Sequence, residues 1–405
     1  MSGLWSQFGA AVEQRATTAA TSSTGVGTLT FSSAHGLRPG DIIVVAGATP
    51  SGWNGTYVVA TVPTSTTLTI ATPSNPATAT VQPTVTAYGM RGVTVNRFWE
   101  YNSEAVRINP GRIKSQGLRA GARQVRSDRS IPYVIDATGT IDLDVMSRGF
   151  GFWLQRMLGS IAITADSPAS GVQTMVATLG ELVGVSFAAQ IGLPYTGAPG
   201  TALSPSVVPK NLYGCKVAGW QLSCEKGGAV KLQLTIDGQH GDHAGTIAVA
   251  SYPTCEPLTF LGAAVTIGGV AVNADQVTIA GSNPMRTDGA KLRNSAMKRE
   301  PFVNAYRDIS VSVGLDFDSL THQTRVLAAT AAGTETAFGV TFQGLAEIAS
   351  GVVPSLAITA PAVQWDGDTP QVGGPDLVPE TLNGMVLDTG ASLITATYIT
   401  LDTAA

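Results

Sequence analysis

Three segments of the chain alternate apolar and polar side chains with a period of two. They are 140–145, 230–237 and 309–318. This period places the apolar side chains on one face of a β-strand and the polar ones on the other. We therefore predict half-buried antiparallel strands in a sheet with one solvated face, and a further hairpin over 263–279.

A fourth segment, 147–159, has apolar residues at three- and four-residue intervals, which is the spacing of an amphipathic helix. Ser147 is a candidate N-cap, and Gly159 is typical of a helix end. We predict one short helix here, and it would cover the apolar face of the sheet. Its apolar side consists of Phe150, Trp153, Leu154, Met157 and Leu158.

Residues 17–87 form a stretch of different composition, in which Arg38 and Asp41 are the only charged residues and Thr and Ser dominate. Runs of β-branched residues alternate there with clusters of Gly, Pro and Asn, as in a series of short strands and turns. We predict an inserted small antiparallel barrel or sandwich of about five strands. The runs are 28–31, 42–45, 56–62 and 66–70.

The insertion divides the chain into an N-terminal segment (1–16), the inserted domain (17–87) and a main domain (88–405). Within the main domain, positive charge is concentrated in residues 105–130, which we name the arm. Three glycines make a stable helix improbable there, so we predict a flexible arm or an extended hairpin that contacts nucleic acid or a neighbouring subunit. Its basic residues are Arg107, Arg112, Lys114, Arg119, Arg123, Arg126 and Arg129.

The C-terminal segment, 361–405, has the opposite charge, with six acidic residues and no Lys or Arg. Spread-out opposite charges can guide two surfaces into register even where each exposed pair contributes only about 0 to 1 kcal/mol. We therefore predict that part of this segment is the partner of the arm. The candidate partners are Asp366, Asp368, Asp376 and Glu380.

Composition favours a mainly β protein, since 46 Gly, 22 Pro and only 13% charged residues accompany 44% hydrophobic ones. The net charge of -4 indicates that the chain as a whole repels nucleic acid, so any DNA contact is expected to be passive. No apolar run approaches the roughly 18 residues of a membrane span, and the start lacks a signal-like pattern. We expect an unsecreted protein that does not enter a membrane.

Candidate chemistry is sparse. The three cysteines, Cys215, Cys224 and Cys255, fit no metal or redox spacing and are read as reduced thiols. His240 and His243 lie close together, but a polar turn explains them more simply than a metal site. Motifs for phosphate, dinucleotide or nucleophilic chemistry are missing from the sequence. We predict no enzymatic activity, no cofactor, no catalytic residue and no bound metal.

The inserted domain resembles a small β module first named in ubiquitin-activating enzymes and often found in phage structural proteins. The resemblance rests on SAHGLRPGD (33–41) and the residues up to position 70. The module contains no cysteine, so the resemblance implies no thioester chemistry. Trp53 and Tyr57 are interpreted either as an exposed binding patch on this module or, more simply, as core and loop-anchoring residues.

The main domain resembles the major tail tube proteins of siphophages, especially those that infect actinobacteria. Each motif is weakly specific alone, but their order and spacing together are fairly specific. The inserted domain departs from the family pattern, because it separates two stretches that are nearly contiguous in relatives. The motifs are VTVNRF (93–98), the arm from 111 to 129, TGTIDLDVMSRGFGFWLQRMLG (138–159), GCKVAGWQLSC (214–224) and the segment 365–390.

The resemblance implies a β-sandwich or partly open barrel with one flanking helix, assembled into stacked, six-fold rings around a channel for genome ejection. It also implies contacts with the tape measure, tail terminator and distal tail proteins, and passage of double-stranded DNA without specific binding. We expect synthesis in the host cytoplasm, a place in the virion tail, and the inserted domain on the exterior of the tube.

A channel for DNA has to repel phosphate, so acidic strand faces are the candidates for its lining. These are Asp142, Asp144, Asp316 and Asp318. The arm is assigned to contacts between stacked rings. An alternative is a secreted or virion-surface adhesin that binds host glycans through the inserted domain, and a third interpretation is a virion glycan hydrolase, which would need a carboxylate pair in an aromatic cleft.

Overall fold

The computed structural model describes the chain except for residues 1–5, 73, 118–120, 122–123, 125, 167–170, 196–205, 288, 290–296, 368, 376 and 391–393. Its described residues form antiparallel sheets and two α-helices, as a mainly β chain should. Neither helix is long and apolar enough to cross a membrane.

The first of the first eight strands belongs to the main sheet. The other seven form the sheet of the inserted domain, which includes residues 14–16 just before the insertion. The eight strands are β1 (Phe8–Val12), β2 (Gln14–Ala16), β3 (Ala19–Ser23), β4 (Val26–Thr30), β5 (Ile42–Ala46), β6 (Gly55–Thr64), β7 (Thr67–Ala71) and β8 (Thr84–Ala87).

All later elements belong to the main domain. They are β9 (Arg97–Trp99), β10 (Ser103–Glu104), β11 (Arg107–Lys114), β12 (Ser130–Asp144), α1 (Phe150–Leu158), β13 (Gly159–Ala165), β14 (Gln173–Leu179), β15 (Phe187–Tyr195), β16 (Ser206–Glu225), β17 (Lys231–Gly238), β18 (His240–Asp242), β19 (Ala263–Ile267), β20 (Val270–Val272), β21 (Ala274–Ser282), β22 (Ile309–Asp316), α2 (Thr321–Ala332), β23 (Thr336–Gln343), β24 (Ser355–Asp366), β25 (Pro379–Val386) and β26 (Thr395–Thr400).

Two long strands connect the layers of the main domain. The first half of β16 pairs with β15, and its second half lies between β17 and β21. In the same way, the first half of β24 pairs with β26 and its last residues pair with β25. A strand that changes partners along its length bends the sheet, and the sheet therefore curls around one core.

The predicted strands are confirmed at 140–145, 230–237 and 309–318, where the alternating residues lie on β12, β17 and β22. The hairpin predicted at 263–279 corresponds to β19, β20 and β21. Ile141, Leu234 and Val313 are fully buried, whereas the polar residues that alternate with the apolar ones remain in contact with solvent on the opposite face, except for Asp237, which is buried near the end of β17.

Helix α1 lies between the layers, and eight of its nine residues are buried. Trp153 stacks on Phe8 and meets Phe187 edge to face, so the helix is packed into an aromatic cluster. Ser147 is not its N-cap, because the Ser147 hydroxyl accepts a hydrogen bond from the Glu256 amide instead. The helix begins three residues later, and Gly159 with φ 103° ends it as predicted.

Helix α2 was missed by the sequence analysis. Its apolar residues are few, and only His322, Val326 and Ala329 are buried. The signal available in the sequence was a run of Ala, Leu and Thr that ends at Gly333, whose φ of 64° is the left-handed conformation of a helix C-terminus.

The inserted domain has a sheet of its own, with strand order β2-β8-β5-β6-β7-β4-β3. Its core is separate from the main core, and Trp53, Leu29 and Ile43 are completely buried in it. Seven strands form where about five were expected, because β2 and β3 have little of the β-branched pattern. Ala16 and Thr84 are register partners on β2 and β8, so the chain enters and leaves the inserted domain at adjacent positions.

Glu13 lies at this junction and is fully buried. Its carboxylate accepts hydrogen bonds from the amides of Gly89 and Gly214, at 2.8 and 2.6 Å, and from the Ser186 hydroxyl at 2.6 Å. Gly89 follows the exit strand β8, Ser186 precedes β15 and Gly214 lies on β16. The side chain of Glu13 therefore connects the entry and exit of the inserted domain to the main sheet.

Burial raises the pKa of Glu13 from 4.5 to about 7, and the three hydrogen bonds counteract the rise only in part. Between pH 4.5 and pH 7 the folded chain therefore holds a proton that the unfolded chain has lost. In this window the free energy of unfolding falls as the pH rises, by on the order of 3 kcal/mol for a shift of this size.

We expect the Glu13→Gln variant to lose this part of the pH dependence, because the amide does not ionise. The measurement is chemical denaturation of the unassembled subunit at several values between pH 4.5 and pH 8. Burial also raises the pKa of Asp237, which contributes a slope of the same sign in both proteins, so the difference between the two slopes isolates Glu13. Equal slopes would contradict the assignment.

Candidate assembly surfaces

The outward face of strands β12, β17, β16, β21, β22 and β25 is predominantly polar. Strand pairing brings its side chains into rows, so that Asp142 lies opposite Gln233, and Gln233 opposite Gln221. We name this surface the polar face. Its members are Asp142, Asp144, Lys231, Gln233, Gln221, Ser223, Glu225, Gln276, Thr278, Ala280, Ser310, Ser312, Gly314, Asp316, Thr381, Asn383 and Met385.

Three of the four predicted channel residues lie on the polar face. Asp142 and Asp144 are on β12, and Asp316 is on β22, four strand pairings away. Asp318 follows the end of β22 and is exposed beyond the sheet. The sequence could not reveal that Asp142 and Asp316 share one face, since that depends on the strand order.

Two carboxylates of the polar face are held by neutral donors. Asp142 accepts hydrogen bonds from the Ser103 hydroxyl and from the Gln233 amide, the latter at 2.8 Å. Asp144 accepts one from the Asn102 amide at 2.8 Å. These bonds fix the carboxylates in position without neutralising their charge.

The polar face carries four acidic residues and one basic residue. The acidic residues are Asp142, Asp144, Glu225 and Asp316, and the basic one is Lys231. Hydroxyl, amide and small side chains occupy most of the remaining positions. Such a surface repels phosphate and offers a polyanion only one cationic side chain to bind.

In its described residues the arm is an extended hairpin, which is one of the two structures predicted from the sequence. β11 pairs with residues 130–138 of β12, whereas β17 pairs only with β12 from Ala137 onward. The outer part of the hairpin is thus a two-stranded ribbon. A ribbon of this kind is marginally stable alone, so it is suited to contact a partner.

One side of the ribbon is apolar. Ile113 and Ile131 are directly paired across the two strands and are 54% and 59% exposed, and Tyr133 is 46% exposed beside them. The basic side chains of Arg107, Arg112, Lys114, Arg126 and Arg129 are also exposed. Among the residues that the structure describes on the arm, only Arg126 has an ion-pair partner, Asp128 at 2.7 Å. Arg119 and Arg123 lie outside the described residues.

The acidic C-terminal segment is only partly available to the arm. Asp366 is exposed at the end of β24. Glu380 is buried, because it lies two residues before Leu382 on β25 and so faces the core as Leu382 does. Its carboxylate accepts a hydrogen bond from the Gln323 amide at 2.7 Å. The prediction of Glu380 as a partner is therefore wrong. Asp368 and Asp376 lie outside the described residues.

The proposed patch of Trp53 and Tyr57 does not form. Trp53 has no exposed surface, and its indole N–H donates to the carbonyl oxygen of Ala77 at 2.9 Å, so it is a core residue of the inserted domain. The Tyr57 hydroxyl donates to the carbonyl oxygen of Gly52 at 3.3 Å and anchors the loop. The simpler interpretation of this pair is confirmed.

Two of the three cysteines and the two neighbouring histidines considered above lie in buried positions or contact the backbone. Cys215 and Cys224 are buried, and burial raises the pKa of the Cys215 thiol well above its ordinary value. Burial lowers the pKa of His240 to about 4, and His243 contacts the carbonyl oxygen of Pro209 at 3.0 Å. Within the described part of the chain, no three His, Cys, Asp or Glu side chains are grouped so that they could hold a metal ion.

Comparison with known proteins supports a structural role in a phage tail. A family model described as phage tail tube protein matches residues 80–386. The match excludes most of the inserted domain and includes the arm, the polar face and both helices. No curated protein matches the chain. Because the family model spans well over half of the 405 residues, the chain belongs to the phage tail tube protein family.

Proposed function

We propose that this chain is the repeating subunit of the tail tube of a siphophage, in which six copies form a ring and stacked rings form the channel through which the genome leaves. The observation that carries the proposal is the polar face. It is the broad, net acidic surface of a sheet whose other face is fully used by the core, so a passing polyanion is the partner that its chemistry suits.

The polar face forms the inner surface of the tube. DNA slides through such a channel only if phosphates are repelled or ignored at every step, since each bound phosphate would retain the strand. The carboxylates of Asp142, Asp144 and Asp316 repeat around each ring, and Ser, Thr and Asn side chains hold water between them. The single Lys231 lies between Asp144 and Ser223 in its row.

Neighbouring subunits close the ring by pairing sheet edges. β10 and β11 are the last strands on one side of the polar face, and in the described chain each of them pairs only with β12. An unpaired edge is a template for another strand, so closure into a ring removes an aggregation hazard and creates a continuous inner barrel.

The inserted domain decorates the exterior. Its entry and exit are neighbouring register partners, so it can be added without separating any strand of the main sheet. A domain of this size in the channel would block passage. The tape measure, tail terminator and distal tail proteins are the proposed partners at the ends of the tube, and the adhesin alternative has no supporting observation.

Reversing the charge of the channel tests the lining. We expect the triple variant Asp142→Lys, Asp144→Lys, Asp316→Lys to assemble into tubes but to slow genome release on the order of tenfold, because each ring then attracts phosphate. The measurement is the rate of DNA release from particles triggered in vitro, at two salt concentrations.

The matched control is the triple Asn variant, which removes the charge and keeps the size of each side chain, with one oxygen per amide left to accept a hydrogen bond. We expect it to lie between the wild type and the Lys variant. If the Lys variant formed tubes of normal appearance and released DNA at the wild-type rate, these three residues would not line the channel.

Shortening the arm tests its role between rings. We expect deletion of residues 117–126 to leave folded subunits or single rings without tubes. The cut ends can rejoin as a tight turn, because the Ser115 amide already donates to the carbonyl oxygen of Arg129 at 3.1 Å. Negative-stain microscopy and circular dichroism measure assembly and fold, and tubes of normal length from this variant would refute the role.

Removing the inserted domain tests its position. We expect replacement of residues 17–83 by Asn-Gly, a two-residue turn suited to the β2–β8 pairing, to leave tube formation intact. Cryo-electron microscopy of wild-type and shortened tubes should differ by density on the outer surface. A difference confined to the channel would contradict the exterior location.

A further inference from the structure

The arm and helix α2 lie at opposite ends of the same sheet. Each step from β12 through β17, β16 and β21 to β22 is antiparallel, so β12 and β22 run in the same direction. The arm precedes β12 and therefore projects from the end where these two strands begin. Helix α2 follows β22 and lies at the end where they finish.

Helix α2 is fixed at that end by its first turns. The Gln323 amide donates a hydrogen bond to the Glu380 carboxylate. Glu380 on β25 is paired with Leu315 near the end of β22. The Arg325 guanidinium contacts His322 at 2.9 Å and donates to the carbonyl oxygen of Ile267 at 3.4 Å. These contacts occupy one side of the helix.

The other side of α2 is an apolar stripe without a covering layer among the described residues. Leu320 and Leu327 are 70% and 67% exposed, and Thr324 and Ala331 complete the stripe at helical spacing. Two such leucines on one stripe are unusual for a helix that faces only water, and they indicate a contact surface.

Exposed carboxylates lie at both ends of this stripe. Asp318 precedes the helix and Glu335 follows it. The surface is a largely apolar stripe with an acidic residue near each end.

The ribbon that the arm forms with the first residues of β12 carries both apolar and basic side chains. Its apolar side consists of Ile113, Ile131 and Tyr133. The exposed Arg112 and Lys114 alternate with Ile113 along β11 and leave the strand on its other side, and the exposed Arg129 precedes β12. Apolar contact would then provide the buried area, while the charged side chains set orientation and suppress wrong pairings.

We propose that the arm of one subunit binds the outer stripe of α2 on a subunit of the adjacent ring. The inference rests on the proposed tube function and names the receiving surface that the arm needs. The contact is head to tail, because the two surfaces are at opposite ends of the subunit, and a head-to-tail contact repeats without closing and therefore builds a tube of any length.

Disulfide trapping between two singly substituted subunits tests the contact. One protein carries Ile131→Cys and the other Leu327→Cys, both with Cys255→Ser because Cys215 and Cys224 are buried and Cys255 is not. The two proteins are mixed, allowed to assemble, and oxidised mildly. We expect a covalent dimer on a non-reducing gel, and it can form only between different copies.

The matched control replaces Leu327→Cys by Leu345→Cys, whose side chain is equally exposed at 67% but lies in a loop away from α2. This pair should give no covalent dimer. Tubes that form in the same sample without the Ile131–Leu327 cross-link would overturn the docking site while leaving the tube function intact. Absence of rings and tubes from the wild-type chain would overturn both.

A charge exchange provides a second test that does not depend on thiols. We expect Arg112→Glu with Lys114→Glu to abolish tubes, and the further changes Asp318→Lys and Glu335→Lys in the same chain to restore them. Restoration by reversing acids elsewhere, for example Asp142→Lys and Asp144→Lys, is not expected. If Asp318→Lys with Glu335→Lys did not restore tubes to the arm variant, the pairing would be refuted.

Discussion

Strand pairing fixes which side of the main sheet each residue of the polar face occupies, and the rest of the molecule depends on this constraint. Because side chains alternate along a strand, Ile141 and Leu143 can reach the core only if Asp142 and Asp144 point away from it. The same holds on β22 for Val313 and Asp316. Burial of the apolar residues on these strands therefore also places the acidic residues together on the outward face.

Much of this arrangement could be predicted from the sequence, since it is local. The alternation on β12, β17 and β22 and the helical spacing of α1 follow from residues a few positions apart. The start of α1 could not be located, because its Ser147 is engaged by a distant amide. Helix α2 escaped prediction because most of its residues are Ala and Thr and only one of its sides meets the core.

The candidate surfaces were harder to predict than the elements. Glu380 has the parity of Leu382, so the sequence held a sign of its burial, but the partner Gln323 is distant in the chain. That Asp142 and Asp316 lie on one face, or that the arm and α2 are at opposite ends, requires the strand order, which no local pattern contains. Glu13 likewise gains its role from Gly89, Ser186 and Gly214, contacts that only the fold brings together.

The 15-residue strand β12 belongs to both the arm and the polar face, and this continuity has a consequence for the accuracy of assembly. If the ribbon slipped by one residue against its neighbours, every side chain of the strand would move to the other face. Leucine and isoleucine would then face outward and aspartates would enter the core. In the proposed tube, each subunit would therefore present its arm to the next ring in a single register, which the folding energy of the subunit itself sets.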